Sequence, residues 1–120
     1  MSVRAVRGAI QVESDERQSI LDGASELVQE VMARNRIDPE QLISILFTAT
    51  PDLTAEFPAY AARQLGLTDV PLMCAGEIAV PGALPRTLRL LAHFDTELSR
   101  GDIRHVYLRG AAALRTDLPR

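Results

Sequence analysis

Lysine is missing altogether: all thirteen basic residues of the 120 are arginine. That excludes Schiff-base chemistry, pyridoxal-phosphate attachment and a P-loop lysine. Tryptophan is also absent, aromatics make up 4% of the chain, and the formal net charge is −3. A chain with neither a basic excess nor an aromatic stacking platform is not expected to bind nucleic acid. The single cysteine, Cys74, rules out an internal disulfide and suits a reducing cytosol. Two histidines and one cysteine are too few for the usual tetrahedral zinc centre, so no metal is expected. The glycine-rich nucleotide cradles and the Gly-x-Ser-x-Gly elbow are not present either. Long apolar runs are lacking: Leu42–Phe47 is short and interrupted by Ser44, and Met1–Arg7 has no apolar core of a signal peptide. The expectation is a cytoplasmic protein with no membrane partner.

What is present suits an ordinary single globular domain, 47% hydrophobic and 24% charged. Its chemical kit is arginines, carboxylates, one thiol and two tyrosines. Such groups favour electrostatic stabilisation of an anion over metal or covalent chemistry, and no cofactor is expected.

Periodicity supplies the architecture. Val3–Val12 alternates as a strand, with Val6, Gly8, Ile10 and Val12 on one face and Ala5, Arg7 and Ala9 on the other. Glu13–Glu16 offers caps for a helix over about 15–35, whose stripe is Ile20, Ala24, Leu27, Val28 and Val31. Asp38–Gln41 reads as a short helical turn with Asp as cap, Leu42–Thr50 as a buried strand, and Phe57–Gly66 as a compact helix. Val70–Cys74, Thr87–Glu97 and Asp102–Leu108 read as three further strands, the second with Leu88, Leu90, Ala92 and Phe94 on one face and, because leucines are abundant, with a helix as the competing reading. The fold class is therefore α/β (α+β): a mixed sheet covered on one face by a long helix and a short one. Its other face needs a cover, and a closed oligomer is the simplest source.

Several polar groups sit where strands or turns leave this core. Arg7 lies between Ala5 and Ala9, Arg89 interrupts an apolar strand, Cys74 and Glu77 bracket a turn, and Tyr107 and Arg115 lie near the end. Each has an ordinary explanation: edge-strand charges reaching solvent, a small buried thiol, a solvated turn carboxylate, a core tyrosine. Spacing alone supports only a site for a dianion.

Taken in order, these segments resemble the monofunctional chorismate mutases of the trimeric mixed α/β class. The likeness runs through Arg4–Ala9, Thr48–Leu53, Phe57–Ala59, Val70–Cys74, Glu77, Val80–Gly82, Arg89, Arg104–Leu108 and Leu114–Leu118. It covers nearly the whole chain and implies one domain over 1–120, a pseudo-barrel homotrimer, and sites at its subunit interfaces. It also implies conversion of chorismate to prephenate by a concerted [3,3] (Claisen) rearrangement, on the route to Phe and Tyr, without a cofactor. By resemblance Arg89 meets the ether oxygen, Arg7 and Tyr107 meet carboxylates, and Glu77 accepts from the ring hydroxyl. Cys74 and the backbone of Ala75 and Gly76 assist Glu77. Phe57, Ala59, Arg63 and Met73 form the neighbour's wall, and Leu114 and Arg115 a C-terminal lid. Two departures stand out: Tyr60 occupies a position where some members carry lysine, and Met73 one where a smaller polar residue is common. The alternatives are a trimeric imine or enamine deaminase of the Rid type, and a metabolite-binding trimer without activity.

Overall fold

The computed structural model describes residues 1–114 of the chain. The elements follow as β1 (Ser2–Gln11), α1 (Arg17–Arg34), β2 (Leu42–Ala49), α2 (Ala59–Gln64), β3 (Leu72–Gly76), β4 (Thr87–Thr96) and β5 (Val106–Leu108). Short 3-10 segments occupy Pro39–Gln41, Arg100–Asp102 and Arg109–Leu114. The strands form one mixed sheet in the order β3-β2-β4-β1-β5. β4 pairs antiparallel with β1 and β2, while β5 lies parallel to β1 and β3 parallel to β2.

The alternation that defines the strands also sorts their faces. Val6 and Ile10 from β1, Phe47 from β2, and Leu88, Leu90 and Phe94 from β4 are buried under α1. The helix meets them with Ile20, Ala24, Leu27, Val28 and Val31. Burying one such large side chain contributes roughly 1.5–3 kcal/mol, so this seam holds the helix to the sheet. Gly8 permits the close approach, since a Cβ there would stand 3.0 Å from Leu27 Cδ1. The opposite face carries Arg7, Leu46, Thr48, Arg89, Leu91 and His93, none of them fully buried.

Three details differ from the sequence reading. The Ser14–Asp15 segment does not cap α1: the Asp15 carboxylate accepts from Thr54 N–H (2.8 Å), Ala55 N–H (3.0 Å) and the Thr54 hydroxyl (2.8 Å). Asp15 thereby ties the start of α1 to the loop that leads into α2. β3 begins at Leu72, beyond Pro71, whose carbonyl accepts from Ile45 N–H and ends the irregular approach. The last strand is shorter than Asp102–Leu108, because Ser99 donates to the Asp102 carboxylate at 2.7 Å and closes a 3-10 turn there.

Between that turn and β5, the buried side chain of Asn35 holds the chain. Its amide donates to the Val31 and Arg104 carbonyls (2.9 Å each), and its oxygen accepts from Arg104 N–H at 2.7 Å. Asn35→Leu removes all three bonds and leaves backbone groups unsatisfied. It should destabilise the chain by about 2–4 kcal/mol, seen as a lower urea midpoint at unchanged m value. A loss below about 0.5 kcal/mol, the level of an ordinary surface change, would show that Asn35 is not an anchor.

Candidate active site

The open face of the sheet owes its pattern to cross-strand register. One transverse row runs Ala75–Thr48–Arg89–Ala9–Tyr107 across β3, β2, β4, β1 and β5. Arg89 stands at its centre, between Thr48 and Ala9, whose short side chains leave room for the guanidinium. The neighbouring row carries Met73, Leu46, Leu91 and Arg7. Two arginines from adjacent rows thus share a face with Thr48, Tyr107 and the apolar Leu46 and Leu91.

Entry into β4 is fixed by several bonds. Thr50 and Thr87 exchange backbone and hydroxyl bonds at 3.0 Å, and Arg86 N–H donates to Asp52 at 2.9 Å. Arg86 Nε also donates to the Val12 carbonyl at 3.0 Å. The Thr50 hydroxyl and then the Arg86 N–H hold the Asp52 carboxyl below its ordinary value of 3.8, against partial desolvation. This contribution to stability is present above that value and is lost as pH falls through the lower, folded one.

Glu77 follows β3 directly, its N–H donating to the Ala49 carbonyl at 2.9 Å. Its carboxylate accepts from the Thr48 hydroxyl at 2.6 Å and from Arg89 Nε at 3.0 Å. The glutamate side chain is 17% exposed and that of Arg89 41%. Because the carboxylate engages Nε, the terminal guanidinium nitrogens have no protein partner among the described residues. They are oriented yet available, which is the condition for binding an anion in a fixed geometry.

Arg7, Leu46, Thr48, Arg89, Leu91, Tyr107 and Leu114 line one cavity of about 330 Å³. Leu114 comes from the segment Arg109–Leu114, which Arg109 ties to α1 through Glu26 at 2.7 Å. A larger concavity, about 840 Å³, lies at the C-terminal end of α1 and holds none of the expected site residues. The smaller one contains the sheet-mounted arginine together with Arg7, Tyr107 and Leu114, and it is the candidate active site.

Cys74 lies elsewhere. It pairs in register with Phe47, so its thiol faces α2 and not the face bearing Arg89. Burial pushes the thiol above its ordinary value of 9.0, partly offset by the Ala59 N–H and the Arg63 charge. Cys74, Ala75, Gly76 and Phe57 share a second groove, about 460 Å³, with the Thr50–Pro58 loop. Within one chain the thiol thus lies with Phe57, Ala59 and Arg63, and not on the face that carries the Glu77–Arg89 pair. Met73 and Phe57 are 67% and 72% exposed, and neither borders the Arg89 cavity of its own chain. Arg115 falls outside the described residues. Thr48 lines the cavity and bonds Glu77, a contact that the sequence reading did not single out; the signal was a hydroxyl at the open-face parity of an apolar strand.

Comparison with known proteins gives this geometry a context. A solved chorismate mutase from Clostridium thermocellum superposes with a TM-score of 0.91 at 42% identity, covering 92% of this chain and 98% of that one. Chorismate mutase AroH of Thermus thermophilus is 48% identical over 117 residues, 97% of this chain and 96% of the relative. Its counterpart in Bacillus subtilis (strain 168) is 40% identical over 119 residues, 98% and 94% of the two chains. The fold is that of a chorismate mutase, an isomerase. The family model of chorismate mutase type I matches residues 3–118, and the chain belongs to that family. It is a chorismate mutase, and nothing favours the deaminase reading. Among the described residues no helix is long and apolar enough to cross a membrane.

Proposed function

We propose that the chain converts chorismate to prephenate in the cytoplasm, within a homotrimer whose sites lie at subunit interfaces. The observation that carries the proposal is the Glu77–Arg89 pair, which leaves an oriented guanidinium in a cavity also bordered by Arg7 and Tyr107. In the rearrangement one ether C–O bond breaks as one C–C bond forms, and no proton or cofactor is required. The protein's task is to hold a flexible dicarboxylate folded and to stabilise charge as it separates.

Each residue then has a role set by its place. Arg89 donates from its terminal nitrogens to the ether oxygen, where negative charge grows as the bond breaks. Arg7, one row away, binds a carboxylate, as does Tyr107 at the end of the Arg89 row. Glu77 fixes Arg89 and accepts from the substrate's ring hydroxyl. Leu114 borders the cavity and covers the bound substrate.

The trimer reading draws support from the open sheet face and from the two separate grooves. One chain offers a cationic wall of Arg7, Arg89 and Tyr107. Its other groove offers Phe57, Cys74, Ala75 and Gly76, flanked by Ala59, Arg63 and Met73. A complete site joins the first wall of one subunit to the second wall of its neighbour.

The test is the identity of the product. Proton NMR of chorismate incubated with the protein should show prephenate as the sole product, with the protein mass unchanged. Unchanged chorismate, or a released fragment, would overturn the proposal. The thiol supplies a companion prediction: Cys74→Ser should keep activity within about tenfold, since a protonated thiol is a poor nucleophile and none is needed. Complete loss in a folded Cys74→Ser protein would point to covalent chemistry.

A further inference from the structure

β5 ends where β1 still has one residue to run. Leu108 stands opposite Ile10, and the next residue of β1, Gln11, has a ladder partner only in Thr87 of β4. Gln11 shares its parity with Arg7 and Ala9 and so belongs to the open face of the sheet. Two turns meet its side chain. One is the entry into β4 at Pro85–Arg86; the other leaves β5 at Arg109–Gly110 and carries the 3-10 segment that ends in Leu114.

The amide nitrogen of Gln11 donates to the Pro85 carbonyl at 3.0 Å, which also accepts from the Thr87 hydroxyl at 3.1 Å. Gly110 lies so close that a Cβ there would fall on Gln11 Oε1 and stand 2.8 Å from Cδ. Only glycine lets the turn rest on the amide in this way. The residues next to these contacts, Arg86 and Arg109, both have left-handed backbone, with φ of 51° and 54°. Such a conformation is costly for a residue with a side chain and persists where surrounding bonds impose it. Arg86 is held through Asp52 and Val12, and Arg109 through Glu26.

We propose that Gln11 is a positioning residue for substrate capture: wedged between the Pro85 carbonyl and Gly110, its amide sets the turn that lays Leu114 against the Arg89 cavity. Leu114 borders that cavity and Gln11 does not, so Gln11 acts through the turn. The Glu26 ion pair fixes the start of the turn and buried Ala111 its middle. The amide under Gly110 is the stop that fixes how closely the segment approaches the sheet. The inference rests on the reading that Leu114 covers bound substrate. A cover touches the ground state and the transition state alike, so its displacement weakens capture and leaves the chemical step unchanged.

The experiment measures kcat and KM on chorismate, at one pH, for Gln11→Ala, Gly110→Ala and the double variant, each confirmed folded by circular dichroism. Gln11→Ala should raise KM by about threefold to tenfold, with kcat within about twofold of the wild type. Gly110→Ala should do the same, because the added methyl takes the space of the amide and breaks its bond to Pro85. The double variant should be no worse than Gln11→Ala alone, since the group that the methyl displaces is already gone. Unchanged KM in either folded single variant, or a loss carried by kcat instead, would overturn the inference. So would a double variant whose KM rises by the product of the two single effects.

A readout independent of turnover is the pair of Leu114 methyl resonances in the free protein. They should move in Gln11→Ala, although that substitution lies outside the cavity. Unmoved resonances would sink the inference even where chorismate is converted, and Gly110→Ala serves in this comparison should Gln11→Ala fail to fold. Moved resonances in a protein that leaves chorismate unchanged would instead place the failure in the functional reading.

Discussion

Arg89→Ala should leave a folded chain whose kcat on chorismate is lower by about a hundredfold to a thousandfold, roughly 3–4 kcal/mol of transition-state stabilisation. Arg89→Lys should recover little of it. A lysine presents one mobile point charge, whereas the guanidinium is held through Nε by Glu77 while its terminal nitrogens face the cavity. The fold should survive because the pair is partly exposed, at 41% and 17%, and such pairs contribute little to stability. Circular dichroism and a urea midpoint near that of the wild type would establish this. Near-native turnover in folded Arg89→Ala would remove Arg89 from the chemistry.

The second large effect is recovery of activity by mixing two inactive proteins. Arg89→Ala damages the cationic wall, and a Phe57→Ala/Arg63→Ala double variant damages the wall that contains Cys74. Each should be confirmed folded and inactive alone, then unfolded and refolded together in equal amounts. If each site joins walls from two neighbouring chains, random assembly leaves roughly a quarter of sites with both walls intact. A pocket contained in one chain predicts no recovery. Mixed oligomers that form without regaining activity would contradict the shared site.

Much of the framework was legible because period two and period 3.6 are properties of the chain itself. The buried faces of β1 and β4 and the stripe on α1 follow from residue spacing, and Arg7 and Arg89 fall on the face left over. Sequence could not supply the strand order β3-β2-β4-β1-β5, in which β4 lies between β1 and β2, and β1 pairs with the last strand. The row that brings Thr48, Arg89 and Tyr107 together exists only once that order is known. The true start of β5 was hidden because Ile103 and Val106 look strand-like, while the turn depends on Ser99 reaching Asp102.

The placement of Cys74 follows from parity once the register of β3 on β2 is known. Leu72 and Cys74 share one parity in β3, Met73 and Ala75 the other, and the open-face row contains Ala75. A thiol one step out of phase with that row belongs to the face toward α2. The resemblance sets it with Glu77, which is close in sequence but bonded to Thr48 and Arg89 on the open face. Arg7, Arg89, Tyr107 and Leu114 line one groove and Phe57, Cys74, Ala75 and Gly76 another, the division that the proposed shared site requires.

The central claim is that Arg7, Tyr107 and the neighbour's wall hold chorismate folded, while Arg89 acts chiefly on charge that develops as the ether bond breaks. Equilibrium binding of chorismate to folded Arg89→Ala, measured calorimetrically, tests this most directly, because slow turnover allows binding to be observed alone. The account predicts a Kd within about tenfold of the wild-type KM, alongside the hundredfold or greater fall in kcat. Binding weakened by the full factor lost from kcat/KM, with kcat unchanged at saturation, would mean that Arg89 holds the substrate and does not stabilise the transition state.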